Sequence, residues 1–174
     1  MGVKVRQIDS KADRKTFVKF PWKIYKDDPN WVPPLLMDRM EAIDPQKNPF
    51  FEHGEAALFL AERDGEVVGR ITAHVNHLYN EFHQDKSGFF GFFECVDEPE
   101  VARILLETAE GWLAERGRDK VLGPMCFSTN EGDVGFLAED REGPPMLLCA
   151  YSAPYYPRLV EEAGYEKAKD LYGW

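Results

Sequence analysis

The sequence predicts an α/β protein, a central mixed sheet flanked by helices, in one domain spanning residues 1–174. Three observations predict it. Two strand-like runs, AALFLAER and EVVGRITAHVN, flank Asp64-Gly65, a strong hairpin-turn dipeptide. The stretch from Phe89 to Met125 reads as strand, helix, strand. With 174 residues, 44% of them hydrophobic and 30% charged, the chain is about one globular domain with a real core.

The elements follow in order. Residues 3–8 alternate like a short strand, with Val3, Val5 and Ile8 apolar. Ser10 opens S-K-A-D, a helix start with a carboxylate at the third position, and Pro21 stops or kinks that helix after Phe20. An aromatic and proline-rich passage, FPWKIYKDDPNWVPPLL, leads to a second helix from Pro34 to Ala42. Leu35, Leu36, Met37 and Met40 give that helix an apolar side, so the region is expected to pack over one end of the sheet. The hairpin comes next, then a polar loop over 76–88, then a strand from Phe89 to Val96. That strand is almost continuously aromatic, as expected when both faces are covered.

Val101, Ile104, Leu105, Ala109, Trp112 and Leu113 then fall on one helical face, and Gly117 stands where a C-cap belongs. Lys120 to Phe127 reads as a strand, MLLCAY as a further strand, Tyr155-Tyr156-Pro157 as a helix start and Gly164 as its end. Tyr165 to Trp174 is expected to begin a final strand.

Bulk chemistry excludes several functions. A formal net charge of -10 argues against nucleic acid or an anionic membrane surface as partner. No apolar run approaches the roughly 18 residues of a membrane span, and MGVKVRQIDS lacks a signal-peptide core. Cys95, Cys126 and Cys149 are odd in number and widely spaced, which suits reduced, structural thiols in a cytoplasmic protein. A reactive Cys126 or Cys149 near a site is the alternative. His74, His77 and His83, with Glu81 and Asp85, suggest a metal site. However, His74 and His77 point to opposite faces of a strand, and the spacing fits no common zinc pattern, so no metal is expected.

The turn Val96-Asp97-Glu98-Pro99-Glu100 joins strand to helix where many α/β enzymes place a glycine-rich phosphate loop. It has no glycine and carries three carboxylates. Asp97 followed by Glu100 suggests a capping box, with Pro99 in the first turn, so the turn is expected to cap its own helix. Ser128, Asn130 and Glu131 follow a strand end and are either substrate contacts or a turn. Ser128 has no evident His-Asp partnership.

This order of elements resembles the GNAT N-acetyltransferase superfamily, and the segment YYPRLVEEAGYEKAKDLY looks like its helix, Gly-aromatic, strand ending. Closer still, DDPNWVPP, NPFFEHGEAALFLA, NEFH and GFFGFFECVD look like an uncharacterised bacterial family of GNAT-like proteins about twice this length, of which the chain would be the N-terminal half. The resemblance implies an acyltransferase that uses acetyl-CoA or another acyl-CoA and acts on a small amine. The cofactor would lie where strands four and five splay, on the backbone of Phe93, Cys95 and Val96, with Arg103 or Arg141 reaching its phosphates. The superfamily's pyrophosphate turn has no counterpart here, because no position of Asp97–Arg103 matches it.

The resemblance also puts a catalytic base at Glu94, whose pKa should rise among phenylalanines; an ion pair with Arg70 is the structural alternative. The superfamily's usual acid, a tyrosine, is replaced by Val160, which leaves Tyr155 and Tyr156 as substitutes or as packing residues. The alternative function is a noncatalytic binding or scaffolding module. A GNAT sheet has one more strand beyond the segment that starts at Tyr165, so a homodimer through that C-terminal edge is a further expectation.

Overall fold

The hairpin forms as its turn predicts: β2 (Gly54–Arg63) and β3 (Glu66–Asn76) pair antiparallel around Asp64 and Gly65, both at positive φ. The computed structural model describes residues 2–128, 133–139, 141–145 and 149–172. On one side of the hairpin β1 (Lys4–Ile8) pairs antiparallel with β2. On the other, β4 (Ser87–Cys95) pairs antiparallel with β3, and β5 (Lys120–Leu122) lies parallel to β4. The sheet order is β1-β2-β3-β4-β5, a mixed sheet as expected.

Each face of the sheet carries its own core. Along β2, Ala57, Phe59 and Ala61 join one cluster while Leu58 and Leu60 join the other, the two-residue period of a strand covered on both sides. The first cluster lies under α5 (Pro99–Ala114), through Val101, Leu105, Ala109 and Leu113, and under α6 (Tyr156–Glu162). The second lies under α1 (Lys11–Lys19), whose Phe17 and Val18 are buried, and under the 3-10 turn Pro49–Glu52. Ser10 caps α1 by accepting from the Asp13 N–H at 3.1 Å while donating to its carboxylate at 2.7 Å. Gly117, at φ 70, closes α5 in a Schellman motif: its N–H reaches Ala114, and the Arg118 N–H reaches back to Leu113.

Six expectations are corrected. The polar loop over 76–88 contains a helix, α4 (His77–His83), capped by Asn76, so a cap within the loop was missed. The short α2 (Pro21–Ile24) follows α1 directly, because Pro21 restarts a helix as well as ending one. The helix α3 (Leu36–Ala42) forms but buries none of its residues fully: of its apolar side only Met40 packs against the second core, while Leu35, Leu36 and Met37 stay exposed. The strand expected over Lys120 to Phe127 ends at Leu122; a cis Gly123-Pro124 bond follows, and Met125 then bridges Val134 instead. Residues 165–172 contain no strand, so the homodimer expected at a C-terminal edge strand lacks that strand among the described residues. Part of MLLCAY lies outside the described residues, and its described part, 149–151, is not a strand.

Candidate functional site

One irregularity in β4 builds the site. Arg70 faces Glu94 and Thr72 faces Gly91, so three steps on β4 match two on β3, the count of a β-bulge. Phe92 sits at the bulge with φ 48, a left-handed conformation that costs a bulky side chain about 1–2 kcal/mol. A one-residue slip moves every later side chain to the other face. Phe90 and Phe93 therefore both enter the α5-side core, and Phe92 enters the opposite one. Glu94 is turned by the same slip to the face that also carries Arg70.

There the Glu94 side chain is 12% exposed and borders a cavity of about 350 Å³, together with Arg70, Phe92, Phe93, Trp31 and Ser152. The Tyr156 hydroxyl donates to Glu94 Oε2 at 2.6 Å, and the Tyr25 hydroxyl donates to the same oxygen at 2.9 Å. The Arg70 guanidinium lies 3.7 Å from Oε1, donates to the Phe17 carbonyl at 2.8 Å and stacks over the Phe17 and Phe92 rings. Burial pushes the Glu94 carboxyl above the ordinary carboxylate range, while Arg70 and the two tyrosines pull the other way. The raised pKa and the Arg70 pair, posed as alternatives from the sequence, are both present. Burial and the adjacent carboxylate hold the Tyr25 and Tyr156 hydroxyls well above their ordinary range, so both remain proton donors.

The splay of β4 from β5 brings in the other tyrosine. Among the described residues no strand flanks β4 on the β5 side beyond Phe89, and the Met125 N–H, 2.8 Å from the Phe90 carbonyl, makes the next bond there. The Cys95 N–H donates to the Tyr156 hydroxyl at 3.1 Å, and the Tyr155 hydroxyl donates to the Cys95 carbonyl at 2.9 Å. Two side chains thus supply the bonds that a neighbouring strand would make. Val96 is turned the other way, its N–H bonded to the Val68 carbonyl at 3.0 Å. Of the strand positions expected to pair with a cofactor, Phe93 lies within the bulge, where the ladder pairs it with no residue of β3.

The acidic turn does not cap its helix as expected. Glu98 is the N-cap residue of α5 and makes no side-chain capping bond. Asp97 instead pairs with Arg158 of α6, and Glu98 with both nitrogens of Arg63, at 2.5 and 2.7 Å. Charge-assisted bonds to guanidinium are stronger than a bond to one neutral amide, so the arginines win the carboxylates. Arg103 pairs with Glu107 one turn along α5, at 2.6 Å. Arg141 donates to the carbonyls of Ser152 and Leu137, so it ties a loop together.

The remaining sequence candidates divide plainly. Ser128 is half-buried and its N–H bonds the Cys126 carbonyl at 2.9 Å; it does not border the cavity. Asn130 and Glu131 lie outside the described residues. Cys126 borders the cavity, but burial pushes its thiol up to about 11, so it stays protonated at neutral pH. His74 is wholly buried among Phe50, Phe89 and Phe127, and burial holds it down to about 3.

Sequence reasoning missed Tyr25, whose hydroxyl also accepts the Ala153 N–H at 3.1 Å and so links the N-terminal passage to Glu94 and to the segment before α6. The only available signal was the density of aromatics in FPWKIYKDDPNW. Trp31 stacks on Tyr25 at 5.1 Å, and Tyr151 donates to Asp28 at 2.6 Å, which draws that passage over the cavity. Arg39 of α3 crosses to Asp133 at 3.1 Å.

No family model matches the chain. It superposes on glucosamine-6-phosphate N-acetyltransferase from Arabidopsis thaliana with a TM-score of 0.53, over 100% of this chain and 99% of that one, at 11% identity. This chain has the GNAT acetyltransferase fold. Within the GNAT fold, similarity in sequence runs to longer proteins. The chain is 40% identical over 168 residues to a bacterial ceramide synthase of Caulobacter vibrioides, covering 96% of this chain and 44% of that protein. It is 37% identical over 170 residues to protein YghO of Escherichia coli, covering 98% of this chain and 43% of that protein. The chain thus spans less than half the length of these curated relatives, in keeping with its expected match to one half of longer GNAT-like proteins. Among the described residues no helix is long and apolar enough to cross a membrane.

Proposed function

We propose that this GNAT domain serves N-acylation: transfer of an acyl group from acyl-CoA to a primary amine bound in the Glu94 cavity. The observation that carries the reading is the Glu94 carboxylate itself, buried, raised in pKa and held at the cavity by two tyrosine donors and one guanidinium from separate elements. The 40% identical relative is named a ceramide synthase. Ceramide is an amide of a long-chain amino alcohol, so an amphiphilic amine is the acceptor class we infer.

Glu94 takes a proton from the acceptor's ammonium and leaves a neutral, nucleophilic amine. Tyr156 and Tyr25 hold the carboxylate at one oxygen, which leaves the other toward Arg70 and the cavity. Tyr156 is wholly buried and bonded to the base, so we assign it to positioning rather than to protonating the leaving group. Acyl-CoA supplies an activated thioester when bound. The edge of β4 that β5 leaves beyond Phe89 suits its extended arm, and Arg63 and Arg158, held at the α5 turn by Glu98 and Asp97, suit its phosphates.

A second reading, a noncatalytic GNAT module, is favoured by one observation: Tyr155 and Tyr156 already occupy the Cys95 peptide groups. Calorimetric titration of acyl-CoA, followed by turnover with a long-chain amine, separates the two. A site of about 10 μM stabilises the fold by about 2.7 kcal/mol at about 1 mM ligand. Binding together with turnover that Glu94→Gln abolishes supports N-acylation. Binding without turnover supports the second reading, and no binding removes acyl-CoA from both.

A further inference from the structure

Half of the large apolar side chains left exposed among the described residues fall within six positions: Val32 at 59%, Leu35 at 68%, Leu36 at 38% and Met37 at 69%. They run from the N-terminal passage onto the first turn of α3, the helix that buries none of its residues. So dense a run of exposed apolar side chains marks a contact rather than chance exposure. We propose that this ridge holds the hydrocarbon tail of the amine acceptor, outside the cavity that holds its head. The inference rests on the N-acylation reading above.

Continuity identifies the occupant. Val32 belongs to the ridge and also borders the Glu94 cavity, between Trp31 and Pro34. At the other end Met37, with Met40, borders a second cleft of about 430 Å³ between α1 and α3. The ridge thus has one residue, Val32, lining the carboxylate's cavity and another, Met37, lining a second depression whose other walls are mostly charged. The first cavity, about 350 Å³, is near the lower bound of small-ligand sites, roughly 300–1,000 Å³, so a long chain must run out of it. Val32 is the ridge residue that lines this cavity.

The same geometry selects the acceptor's tail over the acyl chain of the donor. No residue from Cys95 to Arg103 borders the cavity, so it lies on the base's side and away from the turn that carries Arg63 and Arg158. The group that must reach the base is the amine. Arg39 of α3, which borders the same cavity, is committed to Asp133 at 3.1 Å.

The test uses 2-amino-1-alkanols of about 6 to 16 carbons below their micelle concentrations, titrated calorimetrically into the chain and into Leu35→Ser/Met37→Ser. Because both residues are exposed, the double variant should melt with the parent. In the parent, affinity should rise about two- to fourfold per methylene once the tail reaches the ridge. In the variant that rise should flatten at the same chain length, with short-chain affinity unchanged. Met37→Leu should restore the slope when it replaces the serine at 37. An unchanged slope, or an equal loss for short and long amines, overturns the ridge proposal and leaves N-acylation standing. Loss of binding to neutral phosphatidylcholine vesicles with an unchanged amine slope also overturns it, in favour of bilayer docking. No binding of any amine at any length sinks the acceptor reading and the ridge with it.

Discussion

Glu94 and Glu98 stand four residues apart on one stretch of chain and meet opposite environments. Glu94 is turned inward by the bulge at Phe92, receives two tyrosine hydroxyls and has its pKa raised by burial. Glu98 lies at the exposed mouth of α5, where two guanidinium nitrogens bind it and hold its carboxyl below the ordinary value. The same chemical group is prepared as a base in one place and as a latch in the other. Burial makes the difference, because it disfavours charge that water would otherwise stabilise.

The largest effect should follow from removing the base. Glu94→Gln keeps the shape and is expected to lower turnover with a long-chain amine by about 10²–10⁴-fold, the range of general-base catalysis. It also leaves Arg70 buried beside a neutral amide, so urea denaturation should show a loss of about 3 kcal/mol or more. In the parent, activity should rise as pH climbs through the raised Glu94 pKa, because only the carboxylate can accept the proton. Full activity in the variant would reduce Glu94 to a structural partner of Arg70.

His74 sharpens the contrast as a buried titratable group without a charge partner. Both ring nitrogens lack a hydrogen-bond partner, and burial alone lowers its pKa from 6.5 to about 3. The folded state therefore binds this proton less readily than the unfolded chain. Stability is fully present above about pH 6.5 and is lost as pH falls toward about 3, by about 2 kcal/mol at about pH 5. His74→Phe should remove that part of the acid sensitivity in urea midpoints measured between about pH 7 and 5. Parallel pH profiles for the two proteins would show that His74 takes up its proton without opening the core.

Tyr25→Phe probes the base without removing it. One donor to the carboxylate is lost, so the Glu94 pKa should rise further, by about one unit for about 1.4 kcal/mol of hydrogen bond to charge. The acid limb of the pH–rate profile should move upward by that amount while the high-pH plateau stays close to the parent's. A uniform loss at every pH would mean that Tyr25 acts only through the fold, by way of its bond to Ala153.

Legibility in the sequence followed the range of the interactions concerned. The hairpin rests on Asp64-Gly65, and α5 rests on a local period with Gly117 at its end, so both could be read from neighbours alone. Glu94 was legible as a candidate because the resemblance placed it on strand four. The bulge that aims it was not, because GFFGFF has no alternation from which to detect an inserted residue. Tyr25 was illegible for the same reason: its partner is 69 positions away and faces it only after the bulge. The self-capping turn failed because Arg63 and Arg158, one on β2 and one on α6, take the carboxylates that a local reading gives to the helix.

The smallest effect should come from Glu98→Gln. Its partner Arg63 is about a third exposed, and water screens such pairs, so the denaturation midpoint should not move beyond error. Binding is a separate matter. If Arg63 is a phosphate ligand held in store by Glu98, the neutral variant frees it, and acyl-CoA should bind more tightly, the more so at low salt. The gain should vanish in Arg63→Gln/Glu98→Gln. Equal acyl-CoA affinity in Glu98→Gln and the parent would show that the latch serves α5 alone, and the contrast with Glu94 would then be one of burial without a shared ligand.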